Sequence, residues 1–189
     1  MVIETVVSTL DHAGEANFAA MGVVWGEEMI TIRPYTNTRT YKNLTRSGEA
    51  VVNVTDNVVI FAKSALSRER FESLPARCVK GLILKDTCFW REVAVERVLT
   101  PRPSDGAPGR ADIVTRVVGH GETRQFAGLC RAKHAVVEAS ILASRIRRIG
   151  GEEIRRELER LDIIVEKTGG PEERQAMDFI RAYVAGKTP

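Results

Sequence analysis

Arg33-Pro34-Tyr35-Thr36-Asn37-Thr38-Arg39-Thr40-Tyr41-Lys42-Asn43-Leu44 is the stretch on which the reading of this chain turns. It leaves the β-branched run Met29 to Arg33 and turns at Pro34. It then enters a segment whose Thr-x-x-x-Asn-Leu pattern, followed by Gly48, reads as a short helix from Thr38 to Ser47 ended by a left-handed glycine. A β signal resumes at Ala50 to Thr55. Thr36, Thr38 and Thr40 bring hydroxyls to the start of that helix, and Arg33, Arg39 and Lys42 bring positive charge. Hydroxyls, free amides and a guanidinium at a helix start are what a phosphate monoester needs. The same residue types also suit an N-capped helix with solvated basic side chains, and residue types alone leave both readings open.

Upstream, Val2 to Leu10 and Phe18 to Trp25 read as strands. Trp25-Gly26-Glu27-Glu28 has the length and the glycine of a hairpin turn, so the strands on either side of it are expected to be antiparallel neighbours. Asn17-Phe18-Ala19-Ala20-Met21-Gly22 sets small residues where a strand normally carries branched or aromatic ones. Small side chains let a flat ring approach the backbone. A bulge or a close strand crossing would need them equally.

Downstream, Asn57 to Leu66 is apolar and ambiguous between strand and helix, and Ser67 to Ala76 reads as a loop or an irregular helix. Thr87 to Thr100 and Asp112 to Thr123 are β-rich and are expected to form a long hairpin. Its mobile tip would be the Pro- and Gly-rich stretch 101–109, a plain connector, because a phosphate loop should lead into a helix and Ile113-Val114-Thr115 is strand-like. After Gly128 the period changes. Ala132, Ala135, Val136, Ala139, Leu142, Ala143, Ile146 and Ile149 form one helical stripe, and Ile154, Leu158, Leu161 and Val165 form a second. A third helix starts after Gly169-Gly170-Pro171, with Glu172 and Glu173 in its first turn and Met177, Ile180 and Val184 on its apolar face. Val137 and Ile141 widen the first stripe beyond one contact surface, which favours a dimer interface. The expected organisation is a β domain over 1–128 and a three-helix region over 129–189 that packs on the barrel and on a dimer partner.

The bulk numbers exclude several classes. The 189 residues are 43% hydrophobic and 28% charged, the balance of a folded soluble chain, and too few for two ordinary domains. A net charge of +3, with basic and acidic residues interspersed, gives no field for nucleic acid, and the Arg145, Arg147, Arg148 cluster reads as a solvated helix end. No apolar run approaches the roughly 18 residues of a membrane span, and no basic leader precedes Glu4, so the expected location is the cytoplasm. Cys78, Cys88 and Cys130 lack CxxC spacing and read as buried thiols, not as a disulfide framework or a zinc site. His12, His120 and His134 share no metal-ligand spacing, and Gly119-His120-Gly121 lacks the rest of a dinucleotide fingerprint. No catalytic residue can be named.

Taken together, four motifs resemble a mainly archaeal family of uncharacterised proteins assigned to the FMN-binding split-barrel superfamily, alongside flavin reductases and pyridoxamine-phosphate oxidases. They are Asn17-x-Ala19-x-x-Gly22, Arg33-Pro34-Tyr35-x-x-Thr38-x-Thr40-x-x-Asn43-Leu44, Val51-Val52-Asn53-Val54, and Arg131-Ala132-Lys133-x-Ala135-Val136-Val137-Glu138-Ala139. The family often has Pro at the position of Ala20. The resemblance implies an FMN-binding split β-barrel followed by a C-terminal three-helix region, with FMN bound near a homodimer interface. Carried over residue by residue, it makes Arg33, Thr36, Thr38 and Thr40 phosphate-binding candidates. Asn17, Ala19, Ala20 and Met21 become the edge facing the isoalloxazine through backbone groups, and Pro34 and Tyr35 shape the turn between. It further implies an oxidoreductase of flavin-reductase type that takes a nicotinamide nucleotide or small-molecule substrate. The alternative is a non-catalytic FMN-binding or FMN-carrier protein.

Overall fold

The computed structural model describes residues 1–100 and 109–187, so the expected hairpin tip at 101–108 lies outside the described residues. The chain forms two compact units, one from Met1–Thr55 with Arg70–Gln125 and one from Asp56–Glu69 with Phe126–Pro189.

In the first unit, β1 (Val2–Leu10), β2 (Ala16–Val24), β3 (Met29–Ile32), α1 (Arg39–Ser47) and β4 (Glu49–Val54) follow one another; α2 (Val58–Leu66) then belongs to the second unit. The chain returns with β5 (Ser73–Pro75), β6 (Leu82–Leu84), β7 (Phe89–Leu99) and β8 (Asp112–Glu122). Six strands close into a barrel in the order β1-β2-β3-β8-β7-β4, and β5 and β6 pair as a separate two-stranded sheet. The barrel core is built from one face of each strand, with Val7, Val23, Ile30, Ile32, Val52, Val93 and Ile113 fully buried. Leu44, 1% exposed, comes down on that core from α1, because Thr40, Asn43 and Leu44 recur at helical spacing on one side of it.

The sequence-based strands, the β2–β3 hairpin and the long β7–β8 hairpin are present. In the first turn Gly26 is required by a close approach, since a Cβ there would lie 2.6 Å from the Met29 carbonyl oxygen. The Gly119 and Gly121 pair also has a packing reason. A Cβ at 119 would meet Cys78 Sγ at 2.9 Å, and one at 121 would run into the Trp90 ring. Asn53, fully buried, donates from Nδ2 to the Val6 carbonyl at 3.1 Å and accepts the Leu84 N–H at 2.9 Å, so it staples β6 to β1 and β4. Cys78 corrects the expectation of buried thiols. Only Cys88 is buried, while Cys78 is exposed in the loop between β5 and β6.

The second unit comprises α2, α3 (Arg131–Ser144), α4 (Ile146–Ile149), α5 (Gly151–Thr168) and α6 (Pro171–Ala185). The ambiguous segment at 57–66 resolves as a helix that packs against α3 and α6 and is capped by Asn57, whose Oδ1 accepts the Ile60 N–H at 3.0 Å. Three expected helices thus gain a fourth long partner. The stripe expected to run unbroken to Ile149 breaks at Arg145, and Gly150 at φ 98° separates α4 from α5. The breadth of the α3 stripe has a source within the unit, since α3 packs against α2, α5 and α6, and Val137 touches that core. Lys133 anchors the unit, donating from Nζ to the Asp56 carbonyl at 2.7 Å and lying 3.4 Å from Asp56 Oδ2. Among the described residues no helix is long and apolar enough to cross a membrane.

Candidate functional site

The barrel is nearly split beside β2. Nine residue pairs join β2 to β1, from Val2↔Val24 to Leu10↔Ala16, whereas only Val23↔Ile32 and Val24↔Thr31 join β2 to β3. The β2 ladder toward β3 therefore ends at Val23, and Ala16 to Gly22 present an edge that no strand among the described residues covers. Backbone N–H and C=O groups are obligatory hydrogen-bonding groups, so such an edge is a ready surface for a planar ligand with its own donors and acceptors.

The side chains along that edge alternate. Met21 packs against the barrel core that contains Val23, whereas Phe18 is 7% exposed and meets the edge of the Phe71 ring at a centroid distance of 5.4 Å. By the period of a strand, Asn17, Ala19 and Met21 share one face and Ala20 shares the other with Phe18. The four candidate ring residues are therefore united by their backbone edge and not by a common side-chain surface. Gly22 has a separate reason to be small, because a Cβ there would lie 2.7 Å from Val2 Cγ1 and 3.0 Å from Glu4 Oε1.

Past β3 the chain does not turn at Pro34. The Pro34 carbonyl accepts the Ala111 N–H and the Thr36 N–H donates to the Gly109 carbonyl, both at 3.0 Å, so Tyr35 and Arg110 form one further antiparallel bridge. The Arg110 guanidinium lies 4.8 Å from the centre of the half-exposed Tyr35 ring. The turn itself runs from Tyr35 to Thr38, closed by the Thr38 N–H donating to the Tyr35 carbonyl at 3.0 Å.

Thr38 is the N-cap of α1. Its Oγ1 accepts the Tyr41 N–H at 3.3 Å and donates to the Tyr35 carbonyl at 2.7 Å. With Tyr41 and Lys42 bonded to Thr38, the first-turn amides of Arg39 and Thr40 are those that helix geometry leaves without an intrahelical carbonyl. Two of the positive charges around this turn face carboxylates: Arg33 Nε is 3.0 Å from Asp112 Oδ1, and Arg39 Nη2 is 3.5 Å from Asp11 Oδ2.

Thr40 differs from the other threonines. It is 2% exposed, and its hydroxyl accepts Asn17 Nδ2 at 3.1 Å. Beside it Asn43 Nδ2 donates to Thr9 Oγ1 at 3.0 Å, and Asn17 Nδ2 lies 3.5 Å from the same hydroxyl. The structure thus gathers Asn17, Thr38 and Thr40 near the start of α1, with Arg33, Pro34, Tyr35 and Thr36 on the strand extension leading to it. Asp112, Thr9 and Asn43 act on these residues and were not singled out as site residues. Their signal is tertiary, since each is a common strand or helix residue whose partner lies elsewhere in the chain. His12, His120 and His134 are exposed and lie on three different elements, the β1–β2 turn, β8 and α3.

Residues 3–123 match the family model described as the N-terminal domain of the protein of unknown function DUF447, and residues 130–182 match the model described as protein of unknown function DUF447. Among solved structures, the FMN-bound protein MM1853 from Methanosarcina mazei is 22% identical over 96% of this chain and 94% of its own, with a TM-score of 0.77. A flavoredoxin from Methanosarcina acetivorans is 14% identical over 66% of this chain and 74% of its own, with a TM-score of 0.54. Component B of nitrilotriacetate monooxygenase from Bacillus cereus is 17% identical over 63% and 68%, with a TM-score of 0.55. These likenesses show the fold, a split barrel of the flavin-reductase kind followed by a helical region.

Proposed function

We propose that this chain, which belongs to the DUF447 family of proteins of unknown function, binds FMN with the isoalloxazine along the uncovered edge of β2 and the phosphate at the start of α1. The observation that carries the reading is the two-pair join between β2 and β3, which leaves a strand edge open next to a capped helix start. FMN fits what is there. Ala19 and Ala20 clear space beside the edge, the Arg39 and Thr40 amides and the Arg33 guanidinium suit a dianion, and Thr36 and Thr38 line the turn between. The FMN-bound state of the Methanosarcina mazei protein of the same fold supports the assignment.

Bound there, FMN would supply hydride or electron transfer, and the chain's own work is to position the ring and neutralise the phosphate. The reading is an oxidoreductase of flavin-reductase type acting on a nicotinamide nucleotide or a small-molecule substrate. It works as a cytoplasmic homodimer, supported for the location by the lack of CxxC spacing among Cys78, Cys88 and Cys130 and for the dimer by exposed Ile163 and part-exposed Ile141 on the helical unit. A second reading, a carrier that holds FMN without turnover, is favoured by one observation: Asn17, Ala19, Ala20 and Met21 bring no ionisable side chain to the ring edge.

The test is direct. Purified protein should carry or take up a chromophore with the absorbance bands of oxidised flavin and, after heat release, the mass of FMN. A colourless protein that binds no added FMN removes the reading. Stopped-flow mixing of the holoprotein with NADH and NADPH then separates the two forms, bleaching supporting the reductase and its absence with both donors supporting the carrier.

A further inference from the structure

The two halves of this site are tied to each other by side chains, not only by the backbone between them. Asn17 stands on β2, at the edge assigned to the ring, and Thr40 is the second residue of α1, in the turn assigned to the phosphate. Their bond, Asn17 Nδ2 to Thr40 Oγ1 at 3.1 Å, crosses from one to the other. A second bond runs parallel to it, Asn43 Nδ2 to Thr9 Oγ1 at 3.0 Å, and Thr9 is the register partner of Asn17. Thr9, Thr40 and Asn43 are 0%, 2% and 5% exposed and Asn17 is partly buried, so water competes little for the Asn43–Thr9 bond and reaches the Asn17–Thr40 bond only from the Asn17 side. A part-buried amide and a buried hydroxyl would be replaced at little cost by apolar residues of similar shape if only packing mattered. What the polar pair adds is direction: it fixes the rotation and height of the first turn of α1 relative to β2.

We propose that Asn17 and Thr40 are positioning residues that set the spacing between the ring edge and the phosphate turn, and so make the site selective for a flavin carrying a 5′-phosphate over riboflavin. The proposal rests on the FMN reading above. Thr40 acts through its own backbone, since its N–H is one of the first-turn amides that helix geometry leaves without an intrahelical carbonyl and moves with the side chain that Asn17 holds. Asn17 is therefore a ring-side residue whose loss is felt at the phosphate.

The experiment titrates the full chain, stripped of flavin, with FMN and with riboflavin, for the wild type, Asn17→Ala, Thr40→Val, Thr40→Ser and the double variant Asn17→Ala/Thr40→Val. The wild type should prefer FMN. Asn17→Ala and Thr40→Val should each weaken FMN about tenfold while leaving riboflavin unchanged, the double variant should lose no more than the worse single, and Thr40→Ser should keep the wild-type preference. Equal weakening of both flavins by Asn17→Ala would assign Asn17 to the ring and overturn the proposal, as would losses that simply add in the double variant. If Asn17→Ala does not fold, Asn17→Ser carries the same arm. A wild type that binds FMN and riboflavin equally overturns the spacer and leaves FMN binding intact, whereas a wild type that binds neither removes the FMN reading as well.

Discussion

Thr38 allows the phosphate placement to be tested by charge alone. Its hydroxyl caps α1 through the Tyr41 N–H at 3.3 Å and holds the Tyr35 carbonyl at 2.7 Å, so Thr38→Ala is expected to cost about 1 kcal/mol of stability and confuses folding with binding. Asn and Asp both cap helices as well as Thr does, and they differ from each other by one charge in nearly the same shape. In the absence of ligand, Thr38→Asp should match or slightly exceed Thr38→Asn in stability, because a carboxylate at a helix start complements the dipole by roughly 0.3–1 kcal/mol. In the presence of FMN the order should invert. A carboxylate about 6 Å from a phosphate dianion, at an effective dielectric of about 40 to 80, opposes binding by about 1.4–2.8 kcal/mol. That is roughly a 10- to 100-fold weaker FMN affinity for Thr38→Asp than for Thr38→Asn. Isothermal titration at low and high salt measures it: the gap should shrink with salt and should be missing for riboflavin. Equal FMN affinities in the two variants would mean that the phosphate is not at the start of α1.

Other perturbations reach the scaffold. Glu92 is 2% exposed and its Oε2 accepts the N–H groups of Arg77, Cys78 and Val79 at 3.0, 2.5 and 3.2 Å, so Glu92→Ala should cost about 3–5 kcal/mol by urea unfolding; a loss below about 1 kcal/mol would refute it. Gly121→Ala drives a Cβ into the Trp90 ring and should cost about 1–3 kcal/mol with a shift in tryptophan emission, while an unshifted spectrum at wild-type stability would show that the ring yields freely. Burial pushes the Asp162 carboxyl above its ordinary range despite the Arg181 guanidinium at 2.7 Å. The native state then holds that proton more tightly than the unfolded chain, so the group's contribution is present below the ordinary carboxylate range and is lost as pH rises through the raised value. Asp162→Asn should therefore raise Tm relative to wild type more at pH 7 than at pH 3, and the opposite order would reverse the assigned sign.

Much of the barrel was legible because alternation and turn chemistry are local. Trp25-Gly26-Glu27-Glu28 declared its hairpin, and Gly48 at φ 72° closed α1 where Thr-x-x-x-Asn-Leu had placed the helix. The segment at 57–66 was not legible, because its run of apolar residues serves a buried strand and a buried helix equally and its assignment depends on packing with α3 and α6. β6, three residues long, is held by the distant Asn53 and by Ser8, whose hydroxyl donates to the Leu82 carbonyl at 2.5 Å, so nothing in Leu82 to Leu84 itself announces it.

The candidate site divides along the same line. Thr38 as a cap could be read from its neighbours, but the role of Thr40 could not, because three threonines spaced by two look alike until one is seen to be 2% exposed and bound to Asn17. The open edge of β2 is less legible still. It is no property of Asn17 to Met21; it exists because β3 pairs with β2 only through Thr31 and Ile32 and then continues beside Gly109 to Ala111. A surface made of backbone groups leaves no side-chain signature beyond tolerance of small residues, and Gly22 shows that smallness has other causes, here the approach of Val2 and Glu4. In such a fold the residues that touch a ligand through their backbone are free to vary, and the informative side chains are those that hold two backbone segments at a fixed spacing. Asn17, Thr40, Asn43 and Thr9 meet that description, which is why the spacing they set is the more discriminating target for mutation.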